Sequence, residues 1–382
     1  MLIDYKKFKK INDLPKRKAR VVVAMSGGVD SSVAAALMVE AGYDVIGVTM
    51  KLYNDNQNTS SSKTCCTGSD IKEAQKVAET LGIKHYVLDY QMNFKEKVID
   101  DFIDNYRNGQ TPIPCIRCNQ TVKFTDLIQF TKSVNSEILV TGHYVRRTKS
   151  ARRTFLYQAV DSSKDQSYFL FSTTKQQLEI LRFPLGNYKK TQIRLLAKKF
   201  SLSNYNKPDS QDICFVPKGN YKDFIKENIS KNNKLGKIVN KDDEVIGEHD
   251  GIYGFTVGQR RGIGLGGIKG SANQSPFYVL EINRKKNQIK VGTKKDLERF
   301  KIYLKDTHII GQQDDFNLAV EIKFRSSQKK IKARVNLSES NDKAVVELTN
   351  PAFGVSPGQA CVFYKRNELL GGGWIVAAEK KK

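Results

Sequence analysis

The stretch Ala24-Met25-Ser26-Gly27-Gly28-Val29-Asp30-Ser31-Ser32 carries the densest set of oxyanion-holding groups in the chain. Two adjacent glycines let backbone N–H groups close on a phosphate, and a helix starting there adds the positive end of its dipole. Ser26, Ser31 and Ser32 offer hydroxyl donors, and Asp30 can hold Mg2+ against phosphates. No Gly-Lys-Ser/Thr follows at the spacing of a Walker A loop, so this is a different phosphate cradle. An ordinary tight turn needs a glycine or two, but neither the flanking serines nor the aspartate.

The cysteines are the second chemical signal. Cys115 and Cys118 form a C-x-x-C within Thr111–Asn119, Cys214 lies in the stretch Lys207–Phe215, and Cys65 and Cys66 are neighbours. A structural zinc site needs a second matching pair of Cys or His ligands, which is missing, so no structural zinc is expected. Cys361 sits in an alternating apolar run and reads as a small buried residue. Cys118 and Cys214 read as loop residues with basic neighbours (Arg117, Lys123, Lys207, Lys218), surroundings that lower a thiol pKa and favour the thiolate.

Short apolar strands alternating with helices must position these groups. Arg20–Met25, Asp44–Met50, His85–Asp89 and Glu137–Thr141 read as strands. Ser31–Ala41 and the segment from Ser69 to Leu81 read as helices; Asn93 with Glu96 resembles a capping box opening another through Tyr106. Helical spacing returns at Gln176–Leu181, Thr191–Phe200 and Tyr221–Ile229, and Asp55–Ser62 reads as a polar loop. The alternation predicts an α/β fold with a doubly wound parallel sheet, whose ligands sit beyond the strands' carboxyl ends at Ser26, Met50 and Gly142. A Gly-rich stretch, Gly251–Gly270, follows. From Phe277 onward, six runs with period two (Phe277–Ile282, Gln288–Val291, Leu318–Phe324, Ile331–Leu337, Ala344–Leu348, Ala360–Tyr364) predict an all-β barrel.

Composition narrows the partners. The 382 residues hold 64 Lys+Arg against 40 Asp+Glu, a formal charge of +24, which points to a polyanion and most directly to nucleic acid. Lysines outnumber arginines 47 to 17, a bias that AT-rich coding alone could produce. No apolar run is long enough for a membrane helix, and the basic start lacks the apolar centre of a secretory signal. Six cysteines are too few for a disulfide scaffold, so the expected compartment is the reducing cytoplasm.

The first stretch resembles the SGGxDS loop of the ATP pyrophosphatase superfamily, whose members release pyrophosphate and leave AMP on a substrate. An adenylating site plus reactive cysteines suggests activation of a carbonyl oxygen followed by displacement by sulfur. The whole chain from Arg20 resembles the tRNA-specific 2-thiouridylase family. The matching stretches include Gly47–Tyr53, Gly82–Asp89, Thr111–Phe124, Thr141–Arg146, Lys164–Leu170, Lys207–Gly219, Gly254–Gly266 and Pro357–Tyr364.

That resemblance implies an adenine nucleotide alpha hydrolase-like sheet domain over residues 20–217 behind a basic leader (1–19), a small central tRNA-binding domain (218–280) and a C-terminal β-barrel (281–382). It implies that Ala24, Met25, Ser26, Gly27, Gly28, Val29, Asp30, Ser31, Met50 and Gly142 bind ATP, with Mg2+ as its companion. Cys118 takes the place of the family's nucleophile or base and Cys214 that of the persulfide carrier, the two pairing as a disulfide once sulfur has left. Ile113, Pro114 and Cys115 would lie against the target base; His143, Lys164, Asp165, Gln166, Arg325, Ser326 and Gln359 would contact the anticodon arm. A cysteine desulfurase or sulfur-relay protein would load the persulfide. Three departures stand out: Ile113 replaces a usual Asn, Cys115 adds a third thiol, and the segment at Arg325 is poorer in arginine than usual. Those thiols leave open an iron–sulfur cluster on Cys115, Cys118 and Cys214. An amidating synthetase with the same loop would need no cysteine pair, and a non-enzymatic RNA-binding module would leave the loop unexplained.

Overall fold

The computed structural model describes residues 3–16, 18–53, 68–151, 153–209, 212–216, 220–229, 235–265 and 276–381. The expected loop Asp55–Ser62, Cys65, Cys66 and parts of the 207–219 and 251–270 stretches lie outside them. The chain divides into two compact units: residues 1–99, 114–219 and 365–370, and residues 100–113, 220–364 and 371–382.

In the first unit, α1 (Tyr5–Ile11) precedes β1 (Arg20–Ala24), α2 (Val29–Glu40), β2 (Asp44–Lys51), α3 (Gly68–Leu81) and β3 (Lys84–Asp89). Then α4 (Gln91–Phe94) runs through a π turn, Lys95–Ile99, into α5 (Asp100–Arg107), where the second unit begins. Back in the first unit come α6 (Pro114–Cys118), a second π turn, Asn119–Lys123, α7 (Phe124–Ser133) and β4 (Leu139–Val140). The hairpin β5 (Val145–Lys149)–β6 (Thr154–Gln158), α8 (Lys175–Ile180), β7 (Leu181–Arg182) and α9 (Lys190–Lys199) complete it. Among the described residues the parallel sheet has the order β3-β2-β1-β4-β7, with Val22 opposite Ile46 and Leu139. Its direction of winding switches between β1 and β4, the place where such sheets hold ligands.

The central strand and α2 explain the rigidity of that place. Val21, Val22, Val23, Val33, Ala34, Ala35, Ala36 and Leu37 are all 0 % exposed, so α2 is buried on every side. The basic leader joins this core: Phe8 and Leu14 enter it, Tyr43 Oη donates to Pro15 O, and Asp13 O accepts from Arg182. The capping box expected at Asn93 is absent. The helix starts two residues earlier, at Gln91, whose N–H and side-chain amide both donate to the Asp89 carboxylate.

The second unit begins with α5, whose Phe102 and Tyr106 rings meet Phe224 and Tyr221 of α10 (Tyr221–Asn228). A sheet of order β10-β11-β8-β9 follows, from β8 (Gly236–Val239), β9 (Val245–His249), β10 (Tyr278–Asn283) and β11 (Gln288–Gly292), over a core of Ile238, Val279, Ile289 and Val291. The first two alternating runs therefore belong to this sheet and not to the barrel, and residue 280 falls inside β10. The barrel contains β12 (Arg299–Ile309), β13 (Val320–Lys323), β14 (Ile331–Leu337), β15 (Lys343–Ala352), β16 (Ala360–Lys365) and β17 (Glu368–Glu379). Its order is β12-β15-β14-β13-β16-β17, and β17 pairs back onto β12, which closes it. The strand β17 starts in the first unit, where Glu368 and Leu369 pair with Tyr157 and Leu156 of β6.

Candidate functional site

Beyond the carboxyl ends of β1, β2 and β4 opens a cavity of about 350 Å³. Of the residues expected to bind ATP, Ala24, Met25, Ser26, Gly28, Val29, Asp30, Ser31, Met50 and Gly142 line it, and Gly27 is not in the lining. Gly27 instead sits against the backbone of Asp70, a residue of the cavity lining. Its φ is +71°, and a Cβ there would sit 2.3 Å from Asp70 O, so only glycine fits. Gly142 passes so close to α2 that a Cβ would lie 2.9 Å from Ser31 N.

The serines divide their duties. Ser31 Oγ and Ser32 Oγ both donate to Gly28 O, at 3.1 and 3.0 Å, and Ser26 N–H donates to Ser31 Oγ at 3.1 Å. These bonds close the loop on itself, so Ser31 and Ser32 brace the cradle where the sequence reading made them donors to a ligand. Below Met25, Thr49 Oγ1 donates to Met25 O (2.7 Å) and lies 2.8 Å from His85 Nε2. With its only proton committed to Met25 O, the Thr49 hydroxyl accepts from His85 Nε2–H, which fixes the neutral tautomer. His85 Nδ1 is then a buried acceptor with no partner among the described residues.

An ion network, which the sequence reading missed, holds the loop from the other side. Asp30 accepts from Tyr144 Oη at 2.7 Å and from Lys190 Nζ at 2.8 Å on each oxygen. Lys190 also lies 2.7 Å from Asp209, which Lys164 (2.7 Å) and Arg194 (3.3 Å) approach as well. Burial pushes the Asp209 carboxyl up, but the hydrogen bonds from Lys164 and Lys190 outweigh it and hold the group below its ordinary range. Burial, reinforced by Asp30, raises the Tyr144 phenol strongly, so it stays a donor. Lys207 Nζ reaches Gly27 O (3.0 Å) and Asp70 (2.6 Å), and Asn204 Nδ2 reaches Gly27 O and Ser32 Oγ. A lysine opening a surface-type helix gives no sequence sign of such a role; Tyr144, Lys207 and Asp209 did lie in the matching stretches.

His143, Lys164 and Gln166 line the cavity, as do Lys123 and Tyr144. The His143 ring lies between Phe124 and Phe183, with Thr141 Oγ1 2.9 Å from Nδ1. Burial, then the charge of Lys123, pulls its pKa down to about 3, so the ring is neutral. Gln166 Oε1 accepts from Tyr144 N. Asp165 is spent internally, accepting from Ala159 N, Gln158 Nε2 and Ser167 Oγ.

The environment of Cys118 corrects the expectation of an activated loop thiol there. Cys118 ends the helix α6 and is 5 % exposed, and burial pushes its thiol up to about 11; Lys123 lowers it and Cys115 raises it, both less. It is a protonated thiol at neutral pH. Cys115 is exposed on the same helix, after half-buried Ile113 and buried Pro114, and Cys214 is half-buried. Both cysteine segments meet the helix after β3: α6 packs on the π turn Lys95–Ile99, and Phe215 packs edge-on against Phe94 at 5.7 Å. Cys361 is fully buried in β16.

In the second unit, Arg325 Nη2 donates to Gly354 O (2.8 Å) and Gln359 Nε2 to Thr111 O (2.8 Å). Arg325 is exposed, and Ser326 and Gln359 are half-buried. Among the described residues no three His, Cys, Asp or Glu side chains converge on a point that could hold a metal. Cys115, Cys118 and Cys214 as arranged do not fit a cluster. Asp30, with Lys190 on both oxygens, fits Mg2+ only as a companion of phosphates, with water completing the shell.

The chain matches the tRNA methyl transferase HUP domain family over residues 19–218, the tRNA methyl transferase PRC-barrel domain over 222–293 and the aminomethyltransferase beta-barrel domain over 299–375. It is 48 % identical over 368 residues to the tRNA-specific 2-thiouridylase MnmA of Wolbachia sp. subsp. Drosophila simulans, covering 96 % of this chain and 97 % of that one. It is 46 % identical over 369 residues to the protein of that name from Rhodospirillum centenum (96 % and 94 % covered) and 45 % identical over 377 residues to that of Ehrlichia ruminantium strain Gardel (98 % and 100 %). Likeness of this extent, running through all three matched regions, means that the chain belongs to the tRNA-specific 2-thiouridylase family.

Proposed function

We propose that the protein 2-thiolates the wobble uridine of tRNA, using ATP to activate the base and a cysteine persulfide to supply sulfur. The observation that carries this is the Ser26–Ser32 loop, braced on both sides, opening on a 350 Å³ cavity at the switch point of the parallel sheet. The free backbone N–H groups of the loop and the N-terminus of α2 would receive the pyrophosphate end of ATP. Met50 and Gly142, which line the cavity, would wall the nucleoside. Lys164 and Lys207 add positive charge, and Mg2+, held by the phosphates with Asp30 nearby, would offset charge on the leaving pyrophosphate.

In the first step the uridine O2 attacks the α-phosphorus, the α–β bond breaks and pyrophosphate leaves. The terminal sulfur of a Cys214 persulfide then attacks C2, and AMP departs with the former O2. The Cys118 thiolate attacks Cys214 Sγ, releasing 2-thiouridine and leaving a Cys118–Cys214 disulfide that a reductant must open. In the alternative order Cys118 acts on the persulfide first and hydrosulfide reaches C2; the disulfide product is the same. A desulfurase or relay protein of the cytoplasm would load Cys214. The target base must leave its stack to enter. Exposed Cys115, with Ile113 and Pro114, would lie against it, and His143, Lys164 and Gln166 would meet it at the cavity wall. Arg325, Ser326 and Gln359 would hold tRNA from the barrel. Incubation with ATP, a persulfide donor and unmodified tRNA, followed by nucleoside mass analysis, tests the reading. A mass gain on uridine that depends on ATP supports it, and unmodified nucleosides contradict it.

A further inference from the structure

We propose that Lys123 is the cation that stabilises the Cys118 thiolate, and that the π turn Asn119–Lys123 is what aims it there. The inference rests on the reading of Cys118 as a reacting thiol and adds the group that makes it one.

The geometry starts from the helix. In an uninterrupted α-helix, five steps of about 100° would leave Lys123 about 140° round the axis from Cys118. Here the segment after Cys118 is a π turn, with Phe124 N–H donating to Asn119 O, an i→i+5 bond. That wider turn returns residue i+5 to lie roughly over residue i. Lys123 is thereby carried to the Cys118 side while it also lines the nucleotide cavity beside Phe124 and His143. A helix without the extra residue would turn the lysine away from both.

The chemistry needs such a cation. A thiol that is 5 % exposed resists ionisation, because its thiolate would lose most of its hydration. Among the described residues, the elements that pack most on α6 are the two π turns and the short 3-10 turn Ser167–Leu170. Their charged or titratable groups are Lys95, Glu96, Lys97, Lys123 and Tyr168, with Cys115 and Arg117 on α6 itself. Of these, Lys123 alone favours the thiolate, and Cys115 opposes it. His143, neutral beside Lys123, adds no competing charge. When Cys118 loses its proton to water, Lys123 supplies the balancing charge at the cavity edge.

The test reads the thiol itself, with the full chain and without ATP or tRNA. Carbamidomethylation of Cys118 by iodoacetamide is followed by mass spectrometry of its peptide across a series of pH values. Lys123→Gln should slow modification about tenfold at each pH below the thiol's own, because an adjacent opposite charge shifts ionisation by about one unit or more. Lys123→Arg should keep the wild-type rate. A loosened fold would expose Cys118 and speed the reaction, so a rate for Lys123→Gln equal to or faster than wild type overturns the inference. Failure of the functional reading would show elsewhere, as tRNA thiolation surviving in Cys118→Ser.

Discussion

Lys190→Met and Asp30→Asn separate the structural from the chemical duties of the ion network under the loop. Lys190 is 10 % exposed and lies 2.8 Å from Asp30 and 2.7 Å from Asp209. Removing it leaves two carboxylates facing each other without their shared cation. Stranding a buried charge costs about 3–5 kcal/mol. The Asp30 and Asp209 side chains are 31 % and 23 % exposed, so water screens part of this, and about 2–3 kcal/mol should be lost. In Asp30→Asn, Lys190 keeps Asp209 and the amide oxygen still accepts from Tyr144, so the cost should be about 1 kcal/mol. AMP formation from ATP in the presence of tRNA should nevertheless fall by about tenfold or more in Asp30→Asn, because the loop loses its one carboxylate. Urea unfolding midpoints at neutral pH and AMP release are the two assays. Equal stability losses, or wild-type AMP formation in Asp30→Asn, would refute the reasoning.

Stability should drain as pH falls below about 6.5, because burial lowers the pKa of His143 (to about 3), His85 and His249 in the folded chain. Each folded value lies below the ordinary 6.5, so the unfolded chain binds more protons through that window and stability is full above it. His143→Gln should flatten the loss by up to about 1.4 kcal/mol per pH unit between 6.5 and about 3, read from urea midpoints; parallel curves would contradict this. Gly27→Ala should cost about 2 kcal/mol or more and abolish nucleotide binding, since φ +71° and the 2.3 Å approach to Asp70 O both exclude a Cβ; calorimetry with ATP checks it. Affinity for tRNA should fall steeply with salt, with a log–log slope of several units; a flat response would mean the +24 charge is not a binding surface.

Much of the site was legible in the sequence because its logic is local. The β1–loop–α2 unit shows as a β-branched run, two glycines and an alanine-rich helix, and Met50 and Gly142 follow from the rule that ligands sit at strand ends. Lys190 and Asp209 were not legible, because their function arises from tertiary convergence on Asp30 and not from spacing. Cys118 was misread as a loop thiol. Basic neighbours in sequence suggested a low pKa, but burial dominates at 5 % exposure. The barrel was recognised by period-two runs, but those of β10 and β11 belong to another sheet. The long strands β12 and β17 escaped, because β12 carries charges along its length and β17 carries a Gly-Gly-Gly run. Period alone does not say which sheet a strand joins.

The central claim is that one sulfur passes through Cys214 and is resolved by Cys118. The most direct measurement is mass mapping of sulfane sulfur in Cys118→Ser after loading with a persulfide donor, with thiolation assayed in Cys214→Ser. An added sulfur on the Cys214 peptide and no 2-thiouridine from either variant are expected. Sulfur on Cys115 or Cys65 instead, with Cys214→Ser still active, would contradict that claim.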